Sequence, residues 1–301
     1  MSHFPAIRLA ALDLDGTLLN RQSTITPRTR QAIADAVAHG VIVLPCTGRP
    51  LSNLPPVVAQ LSGIRYALTS NGAAVWDLGA DPLGAVYSRY SDAAQRQTSE
   101  PVLLDGRCMA PEIAREAFAL YMEYPGAMSV FCDGRTYRDP TSMERFARRN
   151  ARRGSTEARQ PNDGRFTVVR DLGEWMSRHA HEVEKLCMFF DTPEEAQEAL
   201  PRFRALSGVE VVQGSPDNIE VTADGVDKGT ALLALADRLG IPREATLAVG
   251  DSGNDRAMLE KAGVAAVMAN AMPEVRALAD LVSVQDCDHD GVAELFERLG
   301  V

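Results

Sequence analysis

Short uninterrupted apolar runs alternate with stretches whose apolar residues recur every three or four positions. The runs predict strands at 7–14, 41–46 and 65–70, and the helical spacing predicts a helix at about 27–39. A continuous run such as Leu9-Ala-Ala-Leu12 is what a strand buried on both faces of a parallel sheet requires. Strand followed by helix is the rhythm of a doubly wound α/β sheet. After Asn71-Gly72 the rhythm changes, and the pattern predicts a hairpin at 73–90, a helix at 110–123 and a strand near 128–133. A helix at 141–152, a strand at 184–190, a helix at 193–206 and paired strands near 209–222 follow, an α+β mixture. From Lys228 the alternation resumes, with helices at 228–239, 254–261, 273–279 and 291–299 and strands at 245–250, 264–268 and 281–284. The first domain is thus read as interrupted and then completed: a core of 1–84 and 223–301 around an inserted α+β domain at 85–222.

The strand ends carry the chemistry. Asp13 and Asp15 close the first apolar run, and Gly16 turns the chain behind them. In an open α/β sheet the ligand crevice lies at the carboxyl ends of the strands, and a two-residue spacing on extended backbone aims both side chains to one side. Two like charges placed there call for a bound positive group, for which a divalent metal is the natural candidate. Thr47-Gly48-Arg49 follows the strand Val41–Cys46 and supplies a hydroxyl and a closely approachable N–H suited to a phosphate oxygen; a plain strand-to-helix turn capped by Thr47 is an equal reading. Lys228 opens a helix, where its ammonium joins the positive end of the dipole. Gly250-Asp-Ser-Gly-Asn-Asp255 follows another apolar strand and gathers oxygen groups of the kind that hard cations such as Mg²⁺ take.

Composition narrows the partners. A net charge of −10 over 301 residues argues against general nucleic-acid or anionic-membrane binding and favours a small-molecule substrate. The five cysteines are odd in number and lack Cys-x-x-Cys spacing, so neither a disulfide framework nor a zinc site is expected, and a reducing cytoplasm is the simplest location. No signal-peptide pattern and no bilayer-length apolar run is read.

Asp13-Leu-Asp-Gly-Thr17, Thr47-Gly48-Arg49, Ser70-Asn-Gly-Ala73, Lys228 and Gly250-Asp-x-x-Asn-Asp255 resemble, in order and spacing, the motifs of haloacid dehalogenase-like (HAD) phosphatases. Val267-Met-Ala-Asn-Ala271 and the position of the insertion are similar to the Cof-type branch, which carries a large α/β cap. The resemblance implies a Rossmann-like core with a mobile cap that sets substrate choice, and a Mg²⁺-dependent phosphatase of small phosphorylated metabolites such as sugar phosphates. It implies Asp13 as the nucleophile that forms an aspartyl-phosphate and Asp15 as general acid and base. It implies Mg²⁺ on the Asp13 carboxylate, the Asp15 main-chain carbonyl and Asp251, with Asp255 behind them. Thr47, Gly48, Lys228 and Asn254 are implied to hold the phosphoryl oxygens. A phosphotransferase or phosphomutase using the same nucleophile, and a non-enzymatic phospho-aspartate sensor, are the alternatives.

Other features compete. Asp286-Cys-Asp-His-Asp-Gly291 with Glu297 fits a calcium-loop pattern, but the preceding residues read as a strand and not as an entering helix; Asp290 is expected to cap the last helix, with the other acids solvated. Residues 135–170 hold ten arginines and no lysine. Arg145, Arg148, Arg149, Arg152 and Arg153 recur at helical spacing, as a solvated face or as a surface for a second anionic group on the substrate. His179 and His181 lack a third metal ligand, and Cys46 lacks the arginine six positions on that a cysteine phosphatase needs, since position 52 is Ser. Trp76, Trp175 and the methionines read as packing residues, and no P-loop run is present.

Overall fold

The computed structural model describes residues 4–90, 100–152 and 166–301. In chain order the first elements are β1 (Leu9–Leu12), α1 (Pro27–Ala38), β2 (Ile42–Pro45), α2 (Pro56–Ala59), β3 (Tyr66–Thr69), β4 (Ala74–Asp77), α3 (Pro82–Tyr90) and β5 (Val102–Gly106). Next come α4 (Pro111–Tyr121), β6 (Gly126–Cys132), β7 (Arg135–Arg138), α5 (Pro140–Arg152), β8 (Phe166–Val168), α6 (Leu172–His179), β9 (Val183–Phe190), α7 (Pro193–Arg204), β10 (Val209–Val212) and β11 (Asn218–Ala223). The last are α8 (Lys228–Arg238), β12 (Thr246–Gly250), α9 (Arg256–Lys261), β13 (Val264–Val267), α10 (Pro273–Arg276), β14 (Leu281–Val282) and α11 (Gly291–Leu299). Two compact units result: one of the residues up to Arg49 with Leu54–Asp105 and Asp227–Val301, the other of Pro50–Asn53 with Gly106–Val226.

The first unit is built on a five-stranded parallel sheet in the order β14-β13-β12-β1-β2, a Rossmann-like α/β core. All four residues of β1 are fully buried, as a central strand of a parallel sheet must be. Leu9 and Ala11 face a cluster that includes Leu232, Leu235, Met258 and Leu259, so α8 and α9 cover that side of the sheet. The register aligns Leu12 with Pro45 on one neighbour and with Val249 on the other, and Gly250 with Val267. The loops after β1, β2, β12 and β13 therefore leave the sheet at one edge, with β1 at the point where the chain switches sides.

In the first unit β3, β4 and β5 form a small separate sheet, tied to β2 by the Cys46–Leu68 bridge and the Thr47 N–H to Leu68 carbonyl bond of 2.9 Å. The expected hairpin at 73–90 is only half strand. β4 pairs antiparallel with β3, and the rest is α3, because Asp81 accepts from the Gly84 N–H at 3.0 Å and Pro82 is fixed in a helical φ.

The second unit is a six-stranded mixed sheet, β10-β11-β9-β6-β7-β8, antiparallel except for β7 with β8. Along β9, Leu186, Met188 and Phe190 join Phe118, Tyr121 and Phe203 in the core beneath α4, α6 and α7. Lys185 and Cys187 alternate with them and lie on the opposite face. α7 begins with a Thr192–Glu195 capping box, which the sequence Thr-Pro-Glu-Glu encodes directly.

Three arginines of the 135–170 segment are engaged inside this unit. Arg149 pairs with Asp217 at 2.8 Å and lies over Phe189, Arg145 donates to the Gly126 carbonyl at 3.0 Å, and Arg138 donates to Ser129 at 2.7 Å beneath Phe146 and Phe166. Arg148 and Arg152 are exposed, and Arg153 lies outside the described residues. All five cysteines are free, and among the described residues no helix is long and apolar enough to cross a membrane.

Candidate active site

Lys228 organises the edge where the parallel strands end. It is the first residue of α8, placed there by Asp227, whose side chain caps the helix by accepting from the Thr230 N–H at 2.7 Å. Lys261 binds the same Asp227 carboxylate at 2.5 Å, joining α8 to α9. The Lys228 ammonium is fully buried and donates to Asp13 Oδ1 at 2.6 Å and to Asp255 Oδ1 at 2.7 Å.

Three carboxylates cluster here, two of them bound to this ammonium. Oxygens of Asp13, Asp251 and Asp255 all lie within 4.8 Å of one another. Asp255 is the best supplied with donors: its Oδ2 accepts from the Asp251 and Ser252 N–H groups at 2.9 and 3.0 Å. Asp251 Oδ1 accepts from the Thr17 hydroxyl at 2.9 Å. Gly250 and Gly16 are required here, since a Cβ on either would stand 2.6 Å or less from the side chain of Asp255 or Asp251.

The electrostatics record the imbalance. Burial, with the charge of Asp255, drives the Asp13 carboxyl well above the ordinary carboxylate range. Burial, again with Asp255 nearby, pushes Asp251 up to about 7. Burial by itself works against the charge on Lys228, yet Asp13 and Asp255 outweigh it and hold the ammonium above its usual value. A site with more buried negative charge than its lysine can offset, lined by hard oxygen donors, fits a divalent cation such as Mg²⁺.

The remaining expected residues join through short links. Asp15 is exposed and its carboxylate is gripped by Arg49, Nε at 2.8 Å and Nη2 at 2.5 Å. Thr47 is buried; its hydroxyl accepts from the Arg49 N–H at 3.1 Å and its carbonyl from the Asn71 N–H at 3.1 Å. Gly48 lies between these two residues, half-buried. Asn254 donates to the Asn71 side chain at 3.3 Å and accepts from the Ser252 hydroxyl at 2.8 Å. Asp13, Asp15, Thr47, Lys228, Asp251, Asn254 and Asp255 thus belong to one connected edge of the sheet. Asp13 and Asp15 diverge in setting, the first buried against Lys228 and the second in solvent.

Sequence reasoning gave no role to Arg49, Asn71 or Asn270. Ser70 and Asn71 both take positive φ, 53° and 59°, a conformation that Asn-Gly at 71–72 signals only in part. Asn270 donates to the Gly16 carbonyl at 2.8 Å.

Among the described residues the Asp13, Asp251 and Asp255 group is the cluster of metal-ligand spacing, while the acids of the 286–290 loop are engaged with neighbouring side chains. Asp288 pairs with Arg21 at 2.9 Å, Asp286 with His289 at 2.6 Å, and Asp290 accepts from Thr26. Asp290 stands at the head of α11 in a left-handed conformation and makes no side-chain cap bond, contrary to expectation, because Thr26 takes its carboxylate. His179 and His181 both lie against Glu182, at 3.4 and 3.2 Å.

A family model described as haloacid dehalogenase-like hydrolase matches residues 10–90 and 103–296, and the chain belongs to that family. Phosphatase YwpJ of Bacillus subtilis is 26% identical over 97% of this chain and 100% of its own length. The 5-amino-6-(5-phospho-D-ribitylamino)uracil phosphatase YcsE of the same organism is 26% identical, covering 97% and 95%. An HMP-PP phosphatase of Serratia proteamaculans is 28% identical, covering 97% and 94%. Among solved structures, a haloacid dehalogenase-like hydrolase from B. subtilis superposes with a TM-score of 0.78 at 24% identity, covering 97% of this chain and 100% of that one. A HAD subclass IIB sugar phosphatase superposes with a TM-score of 0.75 at 22% identity, covering 97% and 99%. These likenesses establish the HAD fold with its additional domain.

Proposed function

We propose that the protein is a Mg²⁺-dependent phosphatase that hydrolyses small phosphorylated metabolites, sugar phosphate-like in class, through an aspartyl-phosphate on Asp13. The observation that carries the reading is the clustering of Asp13, Asp251 and Asp255 within 4.8 Å of one another, with the buried Lys228 ammonium bonded to Asp13 and Asp255. Relatives with full-length coverage are named for phosphatase activity on small phosphorylated compounds, which supports the same class of reaction.

In this reading the Asp13 carboxylate, the Asp15 main-chain carbonyl and Asp251 hold Mg²⁺, with Asp255 fixing Lys228 and the 251–252 backbone behind them. The cation supplies positive charge that lets an anionic phosphoryl group approach an anionic nucleophile. Asp13 attacks phosphorus in line: a bond forms from its oxygen to phosphorus as the bond to the ester oxygen breaks. Thr47, the Gly48 N–H, Lys228 and Asn254 hold the phosphoryl oxygens as charge shifts toward the leaving group. Asp15 gives its proton to that alkoxide, then takes one from the water that cleaves the acyl phosphate and regenerates Asp13. Because Arg49 clasps the Asp15 carboxylate, that clasp opens before Asp15 acts as an acid.

A panel of phosphorylated metabolites assayed for phosphate release, with Mg²⁺ and with chelator, tests this. Release should depend on Mg²⁺ and fall by about three orders of magnitude or more in Asp13→Asn. Full activity with chelator present, or in the variant, overturns the mechanism. Transfer of the phosphoryl group to a sugar hydroxyl without free phosphate would reassign the reaction to phosphotransfer.

A further inference from the structure

Within the Val267–Ala271 stretch, Asn270 makes side-chain contacts that run to distant parts of the first unit. Asn270 Nδ2 donates to the Gly16 carbonyl at 2.8 Å and reaches Asp251 Oδ2 at 3.4 Å, while its Oδ1 accepts from the Cys287 N–H at 3.1 Å. The side chain therefore spans the turn behind Asp13 and Asp15, the carboxylate that follows β12, and the 286–290 loop.

These contacts box the Asp251 carboxylate. Thr17 binds one oxygen, Asn270 approaches the other, and the Gly16 α-carbon lies so close that a methyl group there would stand 2.5 Å from Oδ2. Gly16 has a φ of +87°, and its carbonyl belongs to the peptide unit next to the one carrying the Asp15 carbonyl. The Asn270 bond thus anchors the turn one peptide unit beyond the Asp15 carbonyl, and the Gly16 φ of +87° sets the turn between the two. The acidic loop acquires a purpose as well. Asp286 takes the His289 and Gly291 N–H groups on its carbonyl and the Asp288 N–H on its side chain, folding the loop so that the Cys287 N–H meets Asn270.

We infer that Asn270 is a positioning residue for the cation site, a single amide that holds the turn after β1 and the Asp251 carboxylate in their ligating orientation while the 286–290 loop braces it. This rests on the reading above, in which Asp13, the Asp15 carbonyl and Asp251 take the metal. Groups that orient ligands from behind typically change metal affinity by about 10–100-fold when removed.

The test is a Mn²⁺ titration followed by electron paramagnetic resonance on the intact protein, comparing wild type, Asn270→Ala and Asp251→Asn, with melting of each metal-free chain. Asn270→Ala should raise the Mn²⁺ Kd by about 10–100-fold while its metal-free melting temperature stays close to that of wild type. At saturating Mg²⁺ its substrate KM should be unchanged. Asn270→Ser, whose side chain is too short to reach Gly16, should move the Kd by the same factor and serves if the alanine chain does not fold. An unchanged Kd with a lowered melting temperature makes Asn270 a folding residue and overturns the inference alone. Absence of Mn²⁺ binding by wild type, or full binding by Asp251→Asn, overturns the metal reading together with it.

Discussion

Each of the two units buries a lysine, and the two lysines keep different company. Lys185, on β9 of the second unit, meets Glu220 at 2.9 Å, and Asn218 donates to the other oxygen of that carboxylate at 2.9 Å. Lys228 meets Asp13 and Asp255 and has Asp251 within the same cluster. The first sets a carboxylate against the ammonium, its other oxygen taking the Asn218 amide and the Cys187 thiol. The second holds more carboxylates than its ammonium can balance, and burial together with the nearby Asp255 charge raises both Asp13 and Asp251. A buried pair that balances is a device of packing, whereas a buried cluster that does not is strained until something positive arrives.

Removing one charged partner in each place separates these cases. Lys228→Met should lower phosphate release by roughly two to three orders of magnitude, because a fixed charge opposite the phosphoryl oxygens is lost; a steady-state assay at saturating Mg²⁺ measures it, and near-normal kcat would erase the distinction. On the other side, Glu220→Gln removes the carboxylate that Lys185 meets inside the second unit and should cost about 3 kcal/mol in urea unfolding. A paired replacement of Lys185 and Glu220 by Met and Leu should recover most of that loss.

The smallest effect is one of pH. Asp251 titrates near about 7 in the folded chain and in the ordinary carboxylate range when unfolded, so between those values the folded state holds the extra proton. Stability of the metal-free protein therefore falls as pH rises through that window. Added Mg²⁺ should raise the melting temperature more at about pH 8 than at about pH 5. The difference should be on the order of 1 kcal/mol, or about 2–4 °C; equal shifts at both values would remove the surplus-acid argument.

The parts of the site that could be read from sequence are those where burial and polarity change abruptly. Leu9–Leu12 and Leu247–Val249 are apolar because parallel strands are covered on both faces, so Asp13 and Asp251 stand out as the first charges past the sheet edge. Lys228 is legible because Asp227 and Thr230 mark a helix start around it. Arg49 and Asn270 escape such reading, since the partners Asp15, Gly16 and Cys287 lie 34, 254 and 17 residues away. The strands that sequence missed, β5, β7 and β8, sit at or near sheet edges. β5 is the clearest case: Val102 and Leu103 are exposed there, so no alternation of buried and exposed positions marks the strand.

The central claim is that the Asp13 carboxylate, freed from excess repulsion by a bound cation, becomes covalently phosphorylated. Rapid acid quench of the wild-type protein during turnover of a phosphate ester, followed by peptide mass spectrometry, measures it directly. The account predicts the mass of one phosphoryl group on the peptide that contains Asp13, absent in Asp13→Asn. Turnover with that peptide unmodified and the label on another residue would contradict it.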